Sequence, residues 1–220
     1  MRNRPAKAAY RCSRISVLLI VAAASGVLGG CVAAVSGAVA GGTALAVDRR
    51  STGTQLDDQA IELRAATAVS EAIGKRGHVS VTSYSRVVLL TGQVPSEADR
   101  SAVEAAVRKV ENVRGTVNEL TVGPSATIGE VTNDSILTGK VKAALFDSPA
   151  LQVGSIKVVT ERGVVYLLGR VTEAESLAAG NAARAVAGVA KVVKIFEIIT
   201  PAELAAMPLA PSPPASAPAK

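Results

Sequence analysis

Two stretches of this chain repeat one another. Val79-Ser-Val-Thr-Ser-Tyr-Ser-Arg-Val-Val-Leu-Leu-Thr-Gly-Gln-Val94 aligns with Ile156-Lys-Val-Val-Thr-Glu-Arg-Gly-Val-Val-Tyr-Leu-Leu-Gly-Arg-Val171. Each reads as a strand, a turn and a second strand, with Gly92 or Gly169 two residues before a closing valine. A glycine inside a strand fits close backbone packing better than a ligand site. An Ala-rich helical stretch follows each hairpin, Ser96 to Val110 and Glu173 to Val186, and leads into a third strand, Gly115 to Val122 and Lys191 to Ile199. A helix precedes each hairpin and is expected to begin near Asp58 or Asp134, aspartate being a good N-cap residue. The order is therefore αββαβ, twice. The fold class this implies is α+β, in two tandem domains, each with two helices packed on a three-stranded mixed sheet. One unit of about sixty-five residues folds alone only marginally. The expected bounds are 57–123 and 130–199, joined by Gly123 to Gly129.

The N-terminus carries a different signal. Arg2, Arg4, Lys7, Arg11 and Arg14 precede the apolar run Ile15 to Val27, and Leu28-Gly29-Gly30-Cys31 follows. The run is short for a membrane span, so residues 1–30 read as a secretion signal. The cysteine after Leu-Gly-Gly resembles the lipobox of bacterial lipoproteins. That resemblance implies lipidation of Cys31, with a covalent diacylglycerol and an N-acyl chain, and two or more chains anchor stably. Residues 31–56 are expected to be the lipidated cysteine and a tether. The alternative joins the Ala/Gly/Val-rich start of this segment to the apolar run as one longer membrane segment. Residues 200–220, rich in Pro, Ala and Ser, are expected to be disordered.

Removal of residues 1–30 changes the charge. The whole chain has 24 basic and 18 acidic residues, net +6. The signal holds five of the basic ones and no acidic ones, leaving 19 against 18, or +1. The basicity belongs to the signal and argues for no nucleic acid partner, which needs clustered Lys/Arg and stacking aromatics. Cys12 leaves with the signal and Cys31 is lipidated, so no cysteine remains for a disulfide or a metal cluster. His78 is the only histidine and reads as a loop residue. No Gly-x-Ser-x-Gly elbow, P-loop or His-Glu pair is present, and the chain is read as a non-enzyme with no metal or other cofactor.

The repeat resembles the BON domain (bacterial OsmY and nodulation). The second copy supplies Gly163-Val164-Val165-Tyr166-Leu167-Leu168-Gly169-Arg170-Val171 and Val186-Ala187-Gly188-Val189-Ala190-Lys191-Val192. The first copy departs from the pattern, with Arg86 at the turn glycine and Glu111-Asn112-Val113 at the later glycine-valine step. A lipobox followed by two such domains resembles the dual-BON-domain outer-membrane lipoproteins, over roughly residues 28–199. Val32 is not the aspartate that commonly retains lipoproteins in the inner membrane. The resemblance implies attachment to the outer membrane, facing the periplasm. It also implies binding of anionic, phosphatidylglycerol-like phospholipid through the second domain, and a role in envelope integrity and cell division.

The residues themselves offer a candidate lipid face. Ile61, Ala65 and Val69 form the core stripe of the first domain's first helix, and Leu137, Val141 and Leu145 that of the second. At about 100° per residue, Ile136, Gly139, Lys142, Ala143 and Phe146 point away from the second stripe, with Lys140 on the flank. The first domain has Ala60, Leu63, Ala66, Thr67 and Ser70 there. Apolar groups beside lysines suit a membrane interface. The dual-BON-domain lipoproteins have a tryptophan where this chain has Ile136. Two alternatives stay open: Phe146 folds into the core and Ile136 packs on the first domain, or the same face docks an envelope protein. That partner would be a division amidase activator or an outer-membrane assembly factor. The chain is read as a monomer.

Overall fold

The computed structural model describes residues 48–207. The lipobox, Cys31 and the end of the tail lie outside the described residues. The elements are α1 (Thr52–Ile73), β1 (His78–Tyr84), β2 (Val87–Val94), α2 (Glu97–Val107), β3 (Gly115–Asn118) and β4 (Thr121–Val122), then α3 (Ile128–Phe146), β5 (Ile156–Glu161), β6 (Val164–Val171), α4 (Glu173–Arg184), β7 (Lys191–Ile198) and α5 (Pro201–Ala206). In each domain a hairpin pairs antiparallel, and the strand after the second helix returns parallel to the hairpin's second strand. In the first domain that return is broken. Asn118 turns its side-chain oxygen onto the Leu120 amide at 3.2 Å, which drops Leu120 into the core and leaves β3 and β4 as separate pieces.

Both first helices start about two turns earlier than the aspartates suggest. Ser51 caps α1, accepting from the Thr54 amide at 3.1 Å. Thr127 caps α3 in a capping box with Glu130. Residues 52–56, expected as the end of a tether, are therefore helical and form the start of α1. Asp58 and Asp134 sit inside their helices, on the core stripe and buried. A buried carboxylate must find donors, and both find them on the hairpin turn. Asp58 accepts from the Ser85 and Arg86 amides, both at 2.8 Å, from the Ser83 hydroxyl at 2.7 Å and from Arg50 at 2.7 Å. Asp134 accepts from the Arg162 and Gly163 amides at 2.6 and 2.9 Å. The aspartate is thus a clasp from helix to hairpin. Each clasped turn has two residues at positive φ: Ser85 and Arg86 at 51° and 65°, Arg162 and Gly163 at 48° and 75°. That is the two-residue hairpin geometry that suits twisted strands. Arg86 adopts it without being glycine.

The helices cover one face of each sheet. Val88, Leu90 and Val94 of β2 meet α1 and α2, while Val165, Leu167 and Val171 of β6 meet α3 and α4. The other faces pack on each other, around Tyr84, Leu89, Tyr166 and Leu168. Two polar groups at this seam are paired across it: Tyr84 Oη donates to the Ser155 carbonyl at 3.1 Å, and Gln93 Nε2 donates to Glu161 at 2.6 Å. A strand buried on both faces reads as a continuous apolar run. This explains Val164-Val165-Tyr166-Leu167-Leu168 better than a half-exposed sheet does.

The lead into α1 is pinned to the second domain. Arg49 makes two bonds to the Glu175 carboxylate, 2.8 and 2.7 Å, and donates to the Arg170 carbonyl at 2.9 Å. Its side chain is 3 % exposed. Glu175 also caps α4 through the Thr172 amide at 2.8 Å. Burial raises the Glu175 carboxyl, but Arg49 and the Thr172 amide outweigh it and hold it below the ordinary value. An Arg49→Ala variant leaves a buried carboxylate short of its partner, so a loss of about 3 kcal/mol is expected in urea unfolding.

At the C-terminal end, residues 201–206 are not disordered. Thr200 and Glu203 form a capping box and Pro201 occupies the first turn, where its missing N–H costs nothing, so a short helix forms. Residues 208–220 lie outside the described residues.

Candidate lipid-facing helix

α3 turns Asp134, Leu137, Val141 and Leu145 inward. Its opposite side is bare. Ile136 is 54 % exposed and Phe146 74 %. Gly139, Lys140, Lys142 and Ala143 are exposed as well. All six residues singled out from the sequence thus lie on the open surface of one helix. Phe146 does not enter the core, and more than half of Ile136 stays open to solvent. Thr138, on the flank, bonds Thr160 of β5 at 2.8 Å and marks where the buried side begins.

The stripe is longer than the sequence reading made it. Ile128, 89 % exposed, and Val131, 53 % exposed, precede it on the first turn. From Ile128 to Phe146 the helix runs about 27 Å at 1.5 Å per residue. Both residues were missed because the helix was started at Asp134. Thr127-x-x-Glu130 is the capping-box pattern that marks the true start.

The charges on α3 are one-sided. Glu130 is spent on its cap, accepting from the Thr127 amide at 2.7 Å, and this amide with the Thr127 hydroxyl keeps its carboxyl below the ordinary value. Asp134 is spent on the hairpin turn. Lys140 and Lys142 form no ion pair among the described residues. α1 differs. It exposes Leu56 and Leu63, yet three of its four surface charges, Asp57, Glu62 and Arg64, are engaged with Arg86, Lys157 and Glu111, and the fourth, Glu71, is acidic. Among the described residues no helix is long and apolar enough to cross a membrane, and no three His, Cys, Asp or Glu side chains gather as metal ligands.

Comparison with known proteins agrees with this architecture. The BON domain family profile matches residues 57–124 and 133–200. The chain is 39% identical over 189 residues to the outer membrane lipoprotein DolP of Haemophilus influenzae, spanning 85% of this chain and 98% of that one. It is 33% identical to a 21 kDa hemolysin of Actinobacillus pleuropneumoniae, over 70% of this chain and 80% of that one. It is 31% identical to the osmotically-inducible protein Y of Escherichia coli, over 64% and 72%. Two matched copies with the same αββαβ order, and a relative aligned nearly end to end, place this chain in the BON-domain family.

Proposed function

We propose that this chain is an outer-membrane lipoprotein, anchored through Cys31 on the periplasmic side, whose second BON domain binds anionic phospholipid through α3. The observation that carries the reading is the exposed stripe from Ile128 to Phe146 with Lys140 and Lys142 beside it and no free carboxylate on the helix. A helix of this kind lies in the interface with its apolar side among the acyl chains and its ammonium groups near lipid phosphate. The binding is non-enzymatic. The lipid anchor raises the effective concentration of a face that is weak alone. The outer-membrane assignment rests on similarity to DolP, and the role in envelope integrity and division on the resemblance to dual-BON-domain lipoproteins.

The test is an Ile136→Glu/Phe146→Glu variant. Each side chain is worth about 1.5–3 kcal/mol when buried in an apolar medium, so affinity for phosphatidylglycerol vesicles is expected to fall at least tenfold. Stability should move by less than about 0.5 kcal/mol per site, since both are exposed. Amide shifts on adding phosphatidylglycerol micelles should cluster in residues 128–146. Absence of any response to anionic lipid sinks the reading and leaves the same face to a protein partner.

A further inference from the structure

The two domains do not close completely where the first hairpin turn meets the last strand of the second sheet. One lobe of the gap, about 330 Å3, is walled by Tyr84, Val87, Ile195 and Phe196. A second lobe, about 200 Å3, adds Arg50, Arg86 and Arg170, and both lobes share Ser85, Arg114 and Glu197. Four arginines thus border one small space in which Glu197 is the single acidic wall residue.

These arginines are brought together by the fold. The Arg114 amide donates to the Arg86 carbonyl at 2.8 Å, which sets the start of β3 against the turn. Arg170 and Glu197 are register partners on β6 and β7, with Nε and Oε2 3.3 Å apart. Other acids hold the arginines from outside the gap. Asp48 and Asp58 grip Arg50 at 2.6 and 2.7 Å, and Asp57 grips Arg86 at 2.7 Å, yet none of the three lines it. Arg50 also lies 4.1 Å over the Tyr84 ring. Arg114 forms no ion pair among the described residues. One donor on the wall is orphaned: the Ser85 hydroxyl, in a residue only 6 % exposed, is buried with no hydrogen-bond partner, while Arg170 Nε makes no hydrogen bond and has only the Glu197 carboxylate beside it.

We propose that this gap is a phosphate-binding site, with the apolar lobe taking a short organic arm on the same phosphate. The guanidinium fork matches phosphate oxygens two at a time. Arginines steadied by carboxylates behind them lose little freedom on binding. A phosphate also has enough acceptor oxygens to engage Arg114 together with the donor that has no partner. The phosphate comes either as a free ion or as a lipid headgroup. The site is separate from α3, and neither reading depends on the other.

The full chain, in non-ionic detergent, is titrated with inorganic phosphate at constant ionic strength. Saturable shifts are expected at the amides of Ser85, Arg86 and Arg114 and at Arg170 Nε–H. Arg114→Gln should weaken binding at least fivefold. Lys109→Gln, which removes the same charge elsewhere on the first domain, should leave it unchanged. A second arm uses soluble short-chain phosphatidylglycerol in the Ile136→Glu/Phe146→Glu background, which silences α3. Tighter binding there than to phosphate supports the site and assigns it to a headgroup. Equal binding supports it as a free-ion site. Non-saturating shifts spread over many basic residues, or an unchanged response in Arg114→Gln, overturn the proposal.

Discussion

Asp58→Ala should be among the most damaging single changes in the first domain, costing about 3–5 kcal/mol in urea unfolding. The substitution strips two turn amides, the Ser83 hydroxyl and Arg50 of a shared acceptor. Breaking a buried ion pair from one side is worth about that much, because the remaining donors stay dry. The turn makes matters worse, since Ser85 and Arg86 hold positive φ with the carboxylate bonded to their amides. Asp134→Ala should cost less, about 2–3 kcal/mol, because it frees two amides only and glycine occupies one turn position. Acid should reproduce part of the Asp58 effect. Burial raises this carboxyl, but Ser83, the two amides and Arg50 outweigh it and lower it below the ordinary 3.8. A depressed carboxyl stabilises fully above its unfolded value and loses that contribution as pH falls through its folded value. The wild type should therefore lose stability below about pH 4, and Asp58→Asn should lose correspondingly less over the same range. A wild-type urea midpoint that stays flat from pH 5 to 2 would contradict the clasp.

Gly92→Ala should be comparably severe, at about 3–5 kcal/mol, and more severe than Gly169→Ala. A Cβ on Gly92 would stand 2.1 Å from the His78 carbonyl oxygen, and its φ of +116° is one that side chains rarely adopt. Two penalties add there, a clash and a strained backbone, each about 1–3 kcal/mol. At Gly169 a Cβ would stand 2.5 Å from the Ser155 carbonyl oxygen with no such φ, so only the clash applies. Thermal unfolding of the two variants side by side checks the order. Equal losses would mean that backbone conformation contributes nothing at Gly92.

The repeat made most of this fold legible. Hairpins show as short β-rich runs around a turn, and helix stripes as i, i+4, i+8 spacing, so Ile61-Ala65-Val69 and Leu137-Val141-Leu145 were visible as core. The role of the aspartates was not. An aspartate ahead of an apolar run looks the same whether it caps a helix or reaches across to a distant turn, and only the partner amides distinguish the two. The true caps were written locally, as Thr127-x-x-Glu130 ahead of α3 and Ser51 ahead of α1. Missing the first of these shortened the candidate lipid face by Ile128 and Val131. The seam between the sheets was hidden for another reason. Leu89 and Tyr166 gain their burial from the opposite domain, and a sequence window holds no information about a neighbour that far away. The Arg49–Glu175 pair, 126 positions apart, is the same case.

That pair also decides how the protein responds to a pull. Tension travelling along the N-terminal chain reaches Arg49 before it reaches Ser51, the cap of α1. The force is handed across to Glu175 and the end of β6, so the second domain takes the load and the first helix is shielded from being peeled open. A tug along the N-terminal chain would then orient the molecule by the domain that carries α3, with the first domain riding behind it.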